Sequence, residues 1–95
     1  MLSLDEALTI GLGKYREAYP QGAMPTGLED VAVLSQIPGD RTATVVVSFN
    51  IRGAHDPFVL FQAVVDREAG VASVVTARDW RELEGRELDE SKSLR

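Results

Sequence analysis

Residues 3–19 have apolar side chains at every third or fourth position, the spacing that places them along one side of a helix. They are Leu4, Leu8, Leu12, Tyr15 and Tyr19. Ser3 and Glu6 stand at the spacing of a capping box, in which each side chain accepts a hydrogen bond from the other residue's backbone amide. Pro20 ends the pattern because proline cannot continue a helix. We therefore predict a helix over residues 3–19.

From residue 28 onward, apolar and polar residues alternate with the period of two that indicates β-strands. The alternation predicts four strands with turn-forming residues between them. Their ranges are 28–37, 41–52, 58–66 and 71–78. The pattern is clearest in the second strand, where Val45, Val47 and Phe49 point to one face. Because the connections are short, consecutive strands are expected to pair antiparallel.

The order of these elements predicts an α+β fold, with an N-terminal helix packed on a four-stranded antiparallel meander sheet. Residues 1–79 form a single domain in this prediction. Asp79 and Glu82 begin a second capping pattern, so residues 80–95 are expected to form a short helix over 80–88 and then a frayed polar tail. The element order resembles that of cystatin-like rolls, and the likeness lies in element order alone. A ferredoxin-like order is disfavoured because the helix precedes every strand.

The predicted strand 58–66 is apolar on both faces, and a single helix can cover only one of them. Strict alternation puts Phe58, Leu60 and Val64 on one face. The opposite face then consists of Val59, Phe61, Ala63 and Val65. A large apolar face rarely stays uncovered, so we expect a cover from the C-terminal segment, a second copy of the chain or a bound ligand. The predicted partner-binding or dimer face comprises Phe58, Leu60, Gln62, Val64, Trp80 and Leu83.

The charge of the chain narrows the choice of partner. Ten Lys and Arg residues against 15 Asp and Glu residues give a net charge of −5 over 95 residues. Duplex nucleic acid is an unfavourable partner, because binding it takes a basic face. Six acidic residues and two arginines lie within residues 79–90. This stretch predicts either a solvated helix and tail or a docking segment for a basic protein.

Composition also limits the chemistry that the chain can perform. It has no Cys and a single His, which excludes disulfides, thiolate metal sites and a metal site with two histidines. No apolar run approaches the roughly 18 residues of a membrane span, and the acidic start lacks the basic region of a secretory signal. We therefore expect a cytoplasmic protein with no membrane partner and no cofactor.

His55 and Asp56 form the one pair that resembles catalytic equipment. Residues adjacent in sequence rarely direct their side chains at the same point, and Asp56 before Pro57 is typical of a turn. The stretch from Gly11 to Lys14 resembles a phosphate loop superficially, but it falls inside the helical pattern and lacks the required Ser or Thr. Local structure therefore explains both motifs better than catalysis does.

Two functions are compatible with these patterns. The favoured hypothesis is a small acidic, non-catalytic protein–protein interaction module of the inhibitor, immunity or adaptor type. It would act through its sheet face or its acidic C-terminal segment and form a homodimer. The alternative is a small-ligand-binding protein or an enzyme with a pocket between helix and sheet. The residues expected at that pocket are Tyr15, Tyr19, Arg52, His55 and Arg78.

Overall fold

A computed structural model describes residues 1–89 of the chain. Its elements are α1 (Leu4–Ala18), α2 (Thr26–Asp30), β1 (Val33–Pro38), β2 (Thr42–Phe49), β3 (Phe58–Asp66), β4 (Val71–Ala77) and a short 3₁₀ helix at Trp80–Leu83. The strands pair antiparallel in the order β1-β2-β3-β4, and α1 packs against β2, β3 and β4. The predicted fold, a helix on a four-stranded meander, is confirmed.

α1 begins at the predicted capping box. The amide of Glu6 donates to Oγ of Ser3 at 3.1 Å, and the amide of Ser3 donates to Oε1 of Glu6 at 2.9 Å. These bonds satisfy amides that have no partner inside the helix. At the other end the helix stops at Ala18, with Tyr19 as its C-cap and Pro20 behind it. The local sequence therefore sets both ends of the helix.

Removing the cap tests this account of α1. We expect Ser3→Ala to lower the free energy of unfolding by about 1 kcal/mol, because lost N-caps cost roughly 0.5–2 kcal/mol. Glu6→Gln is the control, since a Gln side chain still accepts the hydrogen bond from the Ser3 amide. Urea unfolding with a common slope measures both variants. A Ser3→Ala midpoint equal to that of wild type would contradict a helix that starts at this cap.

α1 approaches the sheet closely at Gly11. A Cβ atom at this position would lie 2.4 Å from Cγ2 of Val45 on β2 and 2.9 Å from its Cβ, far inside van der Waals contact. Ala7, one turn earlier, is fully buried in a cluster with Ala43 and Val65. Because the residues on this side of α1 are small, the helix backbone lies close to the centre of the sheet.

A β-bulge interrupts the pairing of β2 with β3. Val47 lies opposite Phe61, but the next residue, Ser48, lies opposite Val59, so Leu60 is an extra residue on β3. An extra residue resets the alternation of the strand that contains it. Leu60 and Phe61 are consecutive, yet both are fully buried in one core cluster.

The bulge overturns the predicted division of this strand into two faces. Phe58 and Leu60 belong to the same core cluster as Phe61, on the side of the sheet that α1 covers. Val64 lies beyond the bulge and on the opposite side of the sheet. The prediction that Phe58, Leu60 and Val64 share a face is therefore wrong, because strict alternation does not hold across an extra residue.

The segment before β1 also differs from its predicted form. The predicted strand began at residue 28, whereas residues up to Asp30 form α2 and β1 begins at Val33. Leu28 and Val31 are three residues apart, a spacing that places both on one side of a helical turn. Both pack against the main core cluster. The apolar spacing of this segment is helical rather than alternating.

The helix expected over residues 80–88 is shorter in the structure. It is a 3₁₀ turn that ends at Leu83, and Oδ1 of Asp79 caps it by accepting a hydrogen bond from the Arg81 amide at 2.9 Å. Leu83 is buried in the main core cluster, and Trp80 packs against the same cluster. The start of the C-terminal segment therefore covers the core on the same side of the sheet as α1.

The rest of the described C-terminal segment is also bonded to the sheet. Leu88 forms an antiparallel bridge with Ile51, and the amide of Arg52 donates to the carbonyl of Glu87 at 2.7 Å. The predicted fraying from Leu88 is therefore wrong for Leu88 itself. The remainder of the predicted tail, residues 90–95, lies outside the described residues.

Candidate functional site

The six residues predicted as a partner-binding face do not lie on one surface. Four of them belong to the main core cluster or pack against it, namely Phe58, Leu60, Trp80 and Leu83. The other two, Gln62 and Val64, are half-buried on the opposite side of the sheet. The C-terminal segment does contribute to the cover of Phe58 and Leu60, but it does so from the same side as α1.

The residues predicted to line a ligand pocket are also separated from one another. Tyr15 and Tyr19 are buried core residues with ring centroids 5.2 Å apart. Arg78 is exposed just beyond β4, and His55 is exposed in the loop between β2 and β3. Arg52 lines a different groove, beside α2 and the C-terminal segment. These five residues do not converge on one pocket.

Tyr19 links the end of α1 to the far part of the chain. Its hydroxyl donates to the carbonyl oxygen of Arg78 at 2.6 Å and lies 3.2 Å from that of Leu60. The Leu60 carbonyl also accepts from the Arg78 amide at 2.9 Å, so the Arg78 carbonyl is the group that relies on Tyr19. Burial raises the pKa of the Tyr19 phenol.

Deleting this hydroxyl should cost stability. We expect Tyr19→Phe to lower the free energy of unfolding by about 1–2 kcal/mol, because a part-buried carbonyl loses its donor. Tyr15→Phe is the matched control and should change stability little, since the Tyr15 hydroxyl makes no hydrogen bond within residues 1–89. Urea unfolding at neutral pH compares the two variants.

The raised phenol pKa adds a pH signature to the same variant. The stabilising contribution of a neutral Tyr19 is fully present below the ordinary tyrosine pKa of about 10 and is lost as the pH rises through the raised value. Urea midpoints measured on both sides of that range should fall less in Tyr19→Phe than in wild type. An equal alkaline loss in both would contradict a buried phenol at Tyr19.

The side of the sheet away from α1 is a continuous surface that we call the open face. Its members, in rows across the strands, are Val33, Ser48 and Val59, then Ser35, Val46, Gln62 and Thr76, then Ile37, Thr44, Val64 and Ser73, and then Thr42, Asp66 and Val71. Ser48 is the one buried residue among them, and no helix within residues 1–89 packs against this side. The open face is therefore the side of the sheet that no described helix covers.

The open face is almost free of charge. Asp66 is the only charged residue in the four strands, although charged residues make up 26% of the chain. Its carboxylate accepts hydrogen bonds from the amides of Ala69 and Glu68 in the β3–β4 turn, at 3.1 and 2.9 Å. These bonds lower the pKa of Asp66. The carboxylate of Asp66 therefore stabilises the β3–β4 turn. Asp66 lies at the margin of the open face, and the other members of this face are Val, Ile, Ser, Thr and Gln residues.

A groove of about 350 Å³ runs between α1 and β1, because α1 lies over the other three strands. This α1–β1 groove combines an apolar floor with a polar rim and is lined by Leu12, Tyr15, Arg16, Glu29, Asp30, Ala32, Leu34 and Val47. Nη1 of Arg16 donates to Oε2 of Glu29 at 2.9 Å. Leu34, on the helix side of an edge strand, is 49% exposed.

No family model, curated protein or solved structure matches the chain. Its function is therefore inferred from its own surfaces. Within residues 1–89, no group of three or more His, Asp or Glu side chains is placed to hold a metal ion. His55 has no hydrogen-bond or ion-pair partner in that part of the chain. No described helix is long and apolar enough to cross a membrane.

Sequence reasoning missed most residues of both surfaces. A signal for the open face was present in the sequence: residues 31–39, 42–51, 57–65 and 69–77 are uncharged, in a chain rich in charge. For the groove, the helical spacing of Leu28 and Val31 indicates a turn that brings Glu29 and Asp30 beside β1. The exposure of Leu34 had no local signal, because it depends on where α1 lies across the sheet.

Proposed function

We propose that the chain is a small, non-catalytic protein–protein interaction module of the adaptor, inhibitor or immunity type, and that its open face binds a second copy of the chain. The observation that carries this proposal is the near-absence of charge from a whole sheet face in a protein with a net charge of −5. Depletion of charged residues is typical of the centre of protein interfaces. Solvated protein surfaces, in contrast, are rich in Lys, Arg, Glu and Asp.

The dimensions of the open face suit a homodimer. Strands about 4.8 Å apart and about 25 Å long give a four-stranded sheet a flat surface of roughly 500 Å². Two copies face to face would bury roughly 1,000 Å², which is at the lower limit for a specific interface. Self-association also accounts for the neutrality of the face, because like charges on two identical copies would repel each other.

The side chains of the open face have suitable sizes for packing between sheets. Its apolar members are Val33, Ile37, Val46, Val59, Val64 and Val71, and smaller Ser and Thr side chains lie between many of them. Stacked sheets lie about 10 Å apart, with such side chains interdigitated between them. Val46 and Val64 lie on the two central strands, so their burial would form the middle of the interface.

The acidic C-terminal segment has weaker support as a contact surface. Asp79 pairs with Arg81, and Glu82 pairs with Arg78, so neighbouring arginines neutralise part of its charge. Its backbone is tied to the sheet at Leu88. A segment that is already folded onto its own core offers a basic partner less free charge than the sequence predicts.

Sedimentation equilibrium tests the proposal. We expect wild type to sediment as a dimer and Val46→Asp as a folded monomer, because the substitution sets two like charges against each other in the middle of the interface. Val74→Asp is the matched control. Val74 is 47% exposed on the helix side of β4, outside the open face, so this variant should remain dimeric.

Two outcomes contradict the proposal. The first is a wild-type chain that is monomeric at sub-millimolar concentration. The second is a dimer that Val74→Asp dissociates and Val46→Asp does not, because such a dimer would use the β4 edge instead of the open face.

A further inference from the structure

We propose that the α1–β1 groove binds an extended peptide segment with a basic side chain, and that this segment adds to β1 as a fifth strand. The groove is separate from the open face, so neither proposal requires the other. Three observations support it. They are a strand edge with unpaired backbone groups, an apolar groove beside that edge, and two polar groups in the groove that have no partner among the described residues.

The hydrogen bonds at the ends of β2 show which of its residues bond to each neighbour. The amide of Arg67 donates to the carbonyl of Arg41 at 2.8 Å, and the amide of Gly39 donates to the carbonyl of Thr42 at 2.8 Å. Successive residues of a strand direct their backbone groups to opposite sides. The even-numbered residues of β2 therefore bond to β1, and the odd-numbered residues bond to β3.

The free backbone groups of β1 follow from this pattern. The even-numbered residues of β2 pair with the odd-numbered residues of β1. The even-numbered residues of β1 therefore have their backbone groups on the outer side, so the amides and carbonyls of Leu34 and Gln36 point away from the sheet. Pro38, the next residue on that outer side, has no amide hydrogen. An added strand would therefore pair with the earlier part of β1, where Leu34 lines the groove.

A strand added to β1 would place every second side chain on the helix side of the sheet, over the groove. The groove is apolar there, with Leu12, Ala32 and Val47 beside the exposed Leu34. Its volume of about 350 Å³ is at the small end of the range for binding sites. It accommodates one or two peptide side chains, as in other cases of strand addition where pockets beside the edge select alternate side chains.

The polar groups of the groove favour a basic side chain. The Tyr15 hydroxyl and the Asp30 carboxylate have no partner within residues 1–89. Burial raises the pKa of Tyr15, so its hydroxyl is a neutral donor for a peptide carbonyl. Glu29 is paired with Arg16, which leaves Asp30 as the uncompensated charge. Lys or Arg is the complement of such a charge in an acidic protein.

Selection from a phage-displayed library of random peptides tests the proposal, with wild type and Leu34→Arg as parallel targets. An arginine at position 34 blocks the groove and cancels its charge without placing a charge in the core. We expect wild type to enrich peptides with Lys or Arg and an apolar residue two positions away, because such residues share one face of a strand. No enrichment beyond that obtained with Leu34→Arg would overturn the proposal.

Matched variants then test how the enriched peptide binds. Gln36→Pro removes an outward amide of β1 and should weaken binding about tenfold, the loss expected for one hydrogen bond. Gln36→Ala keeps the amide, loses only the side-chain bond to the Leu4 carbonyl, and should bind like wild type. Asp30→Asn should also weaken binding about tenfold, since bonds to charged groups are stronger. Unchanged affinity in both Gln36→Pro and Asp30→Asn, with urea midpoints near wild type, would overturn the proposal.

Amide hydrogen exchange locates the added strand. We expect the enriched peptide to slow exchange at Leu34 and Gln36 and to leave β4 unchanged. Slowing at β4, or at neither edge, would overturn strand addition to β1. The same peptide should bind Val46→Asp with wild-type affinity, because the groove lies on the other side of the sheet from the open face. Peptide binding by a Val46→Asp monomer thus separates the failure of one proposal from the failure of the other.

Discussion

Leu60→Asp is expected to unfold the domain, whereas Val64→Asp leaves it folded. Leu60 is 0% exposed in the main core cluster, and truncating a buried Leu already costs about 2–5 kcal/mol. A carboxylate at the same place adds a desolvation cost of several kcal/mol. Together these losses match the total stability of a small domain, roughly 5–15 kcal/mol. The two residues are four apart on one strand, so strict alternation would make them equivalent.

Val64 lies on the open face and is only half-buried in the single chain, so its carboxylate variant keeps most of its hydration as a monomer. We expect a loss of about 1 kcal/mol from the lower strand propensity of Asp. Far-UV circular dichroism and urea unfolding distinguish the two variants. Both are measured at equal protein concentration, because dimerisation makes the apparent free energy of unfolding depend on concentration. Similar losses in both variants would contradict the bulge at Leu60.

Gly11→Ala should destabilise the domain, and Gly13→Ala should stabilise it. Replacing Gly by Ala inside a helix contributes about 1 kcal/mol of stability through helix propensity. At Gly13 no atom outside its two chain neighbours and the helix's own backbone lies within 4 Å of the new Cβ, so the full gain is expected. At Gly11 the new methyl group collides with the fully buried Val45, and overpacking costs about 1–3 kcal/mol. We therefore expect a net loss of up to about 2 kcal/mol at Gly11.

Thermal or urea unfolding of the two alanine variants checks this pair, because both carry the same chemical change two residues apart on α1. Opposite shifts of the midpoint are the expected result. Stabilisation by Gly11→Ala would mean that α1 lies farther from β2 than a separation of 2.4 Å between the added Cβ and Val45 implies.

Local signals were sufficient for much of the fold. The capping box at Ser3 and the proline at 20 gave the bounds of α1 within a residue, because both act through the nearest backbone groups. β3 has its predicted bounds, since turn-forming residues flank a continuous apolar run. Gly70 has the positive φ expected at a hairpin turn, +74°, which its missing side chain permits.

The candidate surfaces depend on contacts between distant residues, and these could not be predicted in the same way. The bulge at Leu60 arises from the pairing of β3 with β2, and nothing in the strand's own alternation marks it. Gly11 was recognised as a small residue, but the position of α1 over β2 follows from its contact with Val45. That position leaves Leu34 exposed and opens the groove beside it.

The bonds of the Tyr19 hydroxyl also bear on the order in which the chain folds during synthesis. The two carbonyl oxygens that it contacts, those of Leu60 and Arg78, follow it by 41 and 59 residues. At a ribosomal rate of about 5–20 residues per second, the sheet residues that α1 packs against are synthesised roughly 3–12 s after α1 itself. Until then α1 is an isolated helix of 15 residues, which is marginally stable in water. We expect the hairpins to form first and α1 to dock late. The stabilisation from Gly13→Ala should then appear mainly as slower unfolding, with little change in the folding rate, in stopped-flow measurements.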